Sequence, residues 1–447
     1  MKRLLFGFFC VLFCGAAQSA QIVNVEYIHK LIEQEHGITV PYNTDLHDPT
    51  VAANMKYLLT TIDIANQMLT GESITDYGNS EYATTVATDT VATLEMVRDH
   101  VRNYKFFATT TPDTTSFSFA ISASGVYHIA WGDGTRESYR KTNTTATTYS
   151  HEYSDAGEYV IKIGGYRTGG NSLSFANNLN LAKIDGSVGA IFSTIKNKNG
   201  SVSNPKFEGL FNGCTNLTGT IPPDLFRGIY GVRVHSMFDS VFAKCYGLTG
   251  GIPHGLFGNL YGRTAYEMFS NTFNGCSGLT GSIPSKLFGE FSGASEPYMF
   301  NGVFDGCKGL TGNIPKDLFS GITGTVTLCS YRWAFRNCSG LTGSIPENLF
   351  GEITDYTSSW NFDGTFAGCK GLTGEITDGL FGPLTKIQTG MFPNTFSGCS
   401  GLTGKSVMVD GQFLYEKFSN INTFNVSDMY QGCTGLTDYA DIPTAWK

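Results

Sequence analysis

The chain has 447 residues, of which only 15% are charged, 13% are aromatic and 54 are glycine, with a formal net charge of −8. The aromatic content excludes wholesale disorder, because disordered chains lack groups worth burying. An acidic chain without runs of Lys or Arg is also excluded as a nucleic-acid binder, since phosphate must be met by clustered cations, and the length suggests several domains.

Residues 1–20 read as a secretory signal peptide. Lys2 and Arg3 precede an apolar run from Leu4 to Phe13, small residues follow, and cleavage suits Ser19 or Ala20. The apolar run is too short to stay as an anchor, and Cys10 and Cys14 follow phenylalanine rather than the small residue that lipidation wants. No later stretch approaches the roughly 20 apolar residues that cross a bilayer. The expected location is secreted or cell-surface, with no transmembrane span after signal cleavage.

Residues 21–105 have helical spacing in Val25–Glu35 and Ala52–Leu69, where Leu58, Ile62 and Met68 recur, and more weakly in Thr84–Asp99. A small helical N-terminal region is expected, serving as a stalk or an oligomerising piece.

Residues 106–165 are strand-rich. Ser116–Ile121 alternates with period two, as do Tyr127–Trp131 and Tyr159–Ile163. Trp131-Gly132-Asp133-Gly134-Thr135 reads as a tight turn, followed by His151-x-Tyr153 and Gly157-Glu158-Tyr159. Asp133 suits capping of its own turn better than calcium binding. This pattern resembles a PKD-type (polycystic kidney disease repeat) immunoglobulin-like sandwich, which implies an all-β spacer or presentation platform.

From residue 170 to 447 a period governs the chain. Cys214, Cys245, Cys276, Cys307, Cys338, Cys369, Cys399 and Cys433 follow one another at about 31 residues, a spacing that signals stacked units. An aromatic stands seven positions before nearly every cysteine, from Phe207 to Phe392, another stands three before, and a leucine stands three after. Spacing of i, i+4 and i+7 predicts about two helical turns per unit. The Leu-Thr-Gly-x-Ile-Pro segment that follows predicts a short strand. Residues 177–192 look like a degenerate N-terminal cap. The cysteines read as buried thiols filling one small slot per unit, rather than as disulfides or metal ligands, because no Cys-x-x-Cys pair exists and the mature count is odd.

The pattern Phe-x-Gly-Cys-x-Gly-Leu-Thr-Gly-x-Ile-Pro resembles the BspA-like leucine-rich repeats of bacterial surface proteins, best at Asn271–Pro284 and Asn301–Pro315. The resemblance implies an adhesive or interaction surface. The expected fold is therefore multidomain: an α/β leucine-rich-repeat-like solenoid of about eight repeats, preceded by the all-β sandwich and the small helical region.

Catalytic signatures are missing from the sequence. The eight histidines form no His-Glu-x-x-His pair, and no Gly-x-Ser-x-Gly elbow or P-loop appears. The reading is non-enzymatic, with no cofactor and no metal. The segment after the second apolar knot of each unit differs from unit to unit. It holds Arg233, His235, Arg263, Tyr266, Glu296, Tyr298, Tyr356 and Gln388 as candidate ligand-binding residues on one face; drift in exposed loops is the competing explanation. The expected function is capture of a macromolecule, a protein or glycan on a host or neighbouring cell. The alternatives are a carbohydrate-binding or glycan-degrading accessory, and a structural envelope component.

Overall fold

A computed structural model describes residues 104–196 and 201–447. The expected signal peptide and helical N-terminal region lie outside the described residues, except that Tyr104 and Lys105 open the first strand.

The first part is one antiparallel sheet of six strands: β1 (Tyr104–Thr110), β2 (Thr114–Ala130), β3 (Arg136–Lys141), β4 (Thr147–Gly157), β5 (Val160–Ser174) and β6 (Leu181–Gly186). The long β2 pairs along one side first with β4 (Phe117 opposite His151) and then with β3 (Tyr127 opposite Tyr139), while β5 takes its other side. The strands β1 and β6 complete the order beyond β5. Alternation produces the core: Phe117, Phe119, Ile121 and Ala123 are all buried. Gly165 has φ +106 and lies so close to β2 that a Cβ there would stand 2.0 Å from the Val126 carbonyl oxygen, so only glycine fits. The Trp-Gly-Asp-Gly turn closes on itself, with the Thr135 N–H donating to Asp133 Oδ1 at 2.8 Å. His151 stacks on Trp131 at 5.2 Å, and the Tyr153 hydroxyl donates to the Trp131 carbonyl at 2.8 Å. The expected sandwich is thus corrected to a single connected sheet, which runs on through β6 to Gly186.

The expected α/β solenoid is also corrected. Among the described residues the only α-helix is α1 (Leu414–Lys417), with two short 3-10 turns at Thr423–Asn425 and Thr444–Trp446. The aromatic–aromatic–cysteine segments are not helical. Ser236, Ser240 and Lys244 have φ of 54°, 55° and 63°, and a left-handed residue every fourth position breaks an α-helical hydrogen-bond ladder. The chain instead forms consecutive turns. Ala243 N–H bonds back to Ser240 at 3.2 Å and Cys245 N–H to Phe242 at 3.0 Å. The alternate N–H groups point to the next layer of chain: Phe238 to the Met268 carbonyl at 2.9 Å, Ser240 to Ser270 at 2.8 Å, and Phe242 to Thr272 at 2.9 Å. Turns recurring every four residues meet the i, i+4, i+7 spacing as well as a helix does, which is why the periodicity misleads. Short parallel pairs join some layers, β7 (Tyr230–Val232) with β8 (Asn259–Tyr261) and β9 (Thr323–Val326) with β10 (Glu352–Tyr356).

Rings fill the space between layers. Phe207, Phe238, Phe269, Phe300, Tyr331, Phe362 and Phe392 stack with centroids 5.7 to 5.9 Å apart. Phe211, Phe242, Phe273, Phe304, Phe335, Phe366 and Phe396 form a second column at 5.6 to 5.7 Å. Each of the eight cysteines in register donates its thiol to a carbonyl of the preceding layer, as Cys307 does to Phe273 at 3.1 Å, and all nine described cysteines, Cys329 included, are free. The sheet shares this core: Phe175 stacks on Phe211 at 5.8 Å, and the Cys214 thiol donates to the Phe175 carbonyl at 3.1 Å.

Candidate functional site

The layers carry the eight candidate residues into two different environments. Arg233, Tyr356 and Gln388 serve the scaffold. Arg233 is buried, donates to the Gly262 carbonyl at 2.9 Å and the Leu260 carbonyl at 3.3 Å, and lies 5.1 Å from the Phe291 ring centre. Desolvation lowers its pKa to about 10. The Tyr356 hydroxyl is buried and donates to the Phe381 carbonyl, and burial pushes its pKa up. Gln388, half-buried, donates to the Tyr356 carbonyl at 2.7 Å.

His235, Tyr266 and Tyr298 come together. Each sits in a successive layer. The His235 and Tyr266 rings meet edge-on at 6.0 Å, and Tyr266 and Tyr298 meet edge-on at 5.9 Å. The register is set by the backbone. The Tyr266 N–H donates to His235 Nδ1 at 3.2 Å, and the Ser236 N–H donates to the Tyr266 carbonyl at 2.9 Å. Tyr266 is 37% exposed, which leaves ring surface for a partner. Its phenol is raised because Glu267 accepts its hydrogen bond. The Tyr298 phenol is raised by desolvation and by the Cys329 thiol beside it. Arg263 and Glu296 are exposed on the same layers, Arg263 bridging to Ser292 through the backbone.

Sequence reasoning missed a neighbouring cluster. The Arg332 guanidinium lies 3.8 Å from the Trp333 ring centre and 5.4 Å from that of Trp360, and Arg336 lies 4.1 Å from Trp333. Buried carboxylates hold both arginines: Arg332 Nε donates to Asp363 at 2.8 Å, and Arg336 Nε to Asp305 at 3.0 Å. Phe424, 50% exposed, meets Trp360 edge-on at 5.3 Å. Trp333 and Trp360 have φ of 56° and 61°, the left-handed conformation that the same positions take in other layers, as at Asn271 and Cys329. The signal was available: tryptophan stands at Trp333 where aligned layers carry Asn271, Gly302 and Gly364.

The chemistry offered is recognition by aromatic rings and guanidinium groups. Among the described residues no group of three or more His, Cys, Asp or Glu side chains is arranged to hold a metal, and no helix is long and apolar enough to cross a membrane. No family model, curated protein or solved structure matches this chain.

Proposed function

We propose that this is an exported, non-enzymatic protein of the cell surface or secreted milieu that binds a macromolecule, a protein or glycan on a host or neighbouring cell, through the aromatic row on its layered face. The observation that carries the reading is the edge-on contact of His235, Tyr266 and Tyr298, which come from three separate layers yet form one half-open surface. Tyrosine brings large contact area at low entropic cost and is enriched in binding hot spots. The nearby Arg332–Trp333–Trp360 cluster extends the same chemistry.

The test is binding of the labelled chain to intact host or neighbour cells. Tyr266→Ala with Tyr298→Ala is expected to cut retention by about tenfold or more while leaving the thermal midpoint in place. Undiminished binding by that double variant refutes the reading.

A further inference from the structure

A separate feature lies where the sheet meets the first turn layers. Two clefts, of about 410 and 430 Å³, flank the segment 174–176 and share Ser174 and Ala176 as common walls. Each has the volume of a small-ligand site, and the two adjoin through those shared residues as a bipartite groove. We propose that this groove binds an oligosaccharide, at a site separate from the tyrosine row.

The lining selects the ligand. In the first cleft Asn171, Lys206, Glu208, Asn212 and Asp239 face the space. The side chains of Asn171, Lys206, Glu208 and Asn212 make no hydrogen bond to another described residue. Two amides, an ammonium and two carboxylates supply donors and acceptors together, which is what a row of sugar hydroxyls, each both donor and acceptor, requires. Apolar walls are scarce, which disfavours a lipid. In the second cleft Leu179 stands 56% exposed and offers an apolar patch on which the C–H face of a sugar ring can rest.

A peptide is the competing occupant, and the geometry disfavours it. Extended peptides gain affinity by pairing with free strand backbone. Here the nearby β2 carbonyls are already taken: Asn178 Nδ2 donates to the Ser118 carbonyl at 2.8 Å, and Asn180 Nδ2 to the Ser116 carbonyl at 2.8 Å. The same two bonds hold the floor of the second cleft in place.

The experiment titrates the full chain with short defined oligosaccharides of the cello, xylo, manno and chito series, and with a lysine-rich peptide as the rival probe, reading heat and affinity-gel retardation. At least one sugar series is expected to bind. Glu208→Ala with Asn212→Ala is expected to weaken it by about tenfold or more with an unchanged thermal midpoint, and Lys206→Ala alone gives a second reading if the double variant folds poorly. Tyr266→Ala with Tyr298→Ala is expected to bind the sugar as the parent does, which separates this groove from the cell-binding row. The proposal is overturned if no sugar series binds, if the groove variants bind undiminished, or if only the lysine-rich peptide binds.

Discussion

Arg233 donates through Nη1 to the carbonyl oxygen of Gly262 at 2.9 Å, so a cation chosen for its variability between units is a strut between two layers. Removing it takes a charged donor from that carbonyl and from the one on Leu260, which keep only the N–H groups of Ser292 at 3.0 Å and Glu290 at 3.1 Å. Arg233→Ala is therefore expected to cost about 1–3 kcal/mol, and exposed Arg263→Ala no more than about 0.5 kcal/mol. Urea unfolding of the two variants checks the contrast.

The tryptophan cluster depends on glycines beneath it. A Cβ at Gly390 would meet the Trp360 ring at 2.7–2.8 Å, on a backbone with φ +60. Gly390→Ala is expected to lower stability by more than about 1 kcal/mol. Adding Trp360→Ala should recover the steric part, leaving the backbone part. A double-mutant cycle in denaturant measures the coupling, and purely additive losses would contradict the packing described.

Asp239 supplies a pH signature. Desolvation, with repulsion from Glu267 and Glu208, raises its carboxyl to about 6, against about 3.9 in an unfolded chain. The native state then holds the proton more tightly than the unfolded one, so the penalty is fully present above about pH 6 and fades as pH falls toward 4. Asp239→Asn is expected to be more stable than the parent at pH 7–8, with the difference shrinking through pH 6 and gone near pH 4. Thermal midpoints of both proteins across that range decide it, and a pH-independent difference would be the contrary result.

The stacked thiols should be chemically silent. Burial pushes Cys307 and Cys338 well above the ordinary thiol range, and neither is exposed. Because the thiolate is the reactive form, maleimide labelling of these positions is expected to follow global unfolding, measured by mass spectrometry over a denaturant series. Rapid labelling of the native chain would contradict the packing.

The ring columns carry much of the stability. Phe300 touches Phe269 at 5.9 Å, Tyr331 at 5.9 Å and Phe319 at 4.5 Å. Phe300→Ala is expected to cost about 3–5 kcal/mol, read by calorimetry, whereas Phe424→Ala at the exposed edge should cost far less.

The sequence by itself determined which side chains go inside and where the chain turns. Phe238, Phe242, Cys245 and Leu248 are buried because apolar groups recur at a fixed interval and leave water together. The alternation in Ser116–Ile121 and the turn at Gly132–Gly134 likewise needed only local chemistry. What the tertiary structure alone decided was the backbone between those points. A spacing of four is common to helices and to turns recurring every four residues, and hydrogen bonds to the next layer, invisible in one layer's sequence, chose the turns. The same bonds separated the candidate residues. Arg233 went inward, where its guanidinium adds a second donor to the carbonyls of Leu260 and Gly262 and lies on the Phe291 ring, while His235, two residues on, met Tyr266 at the surface. Which residues share a surface depends on partners about thirty positions away in the chain, and only stacking brings those together.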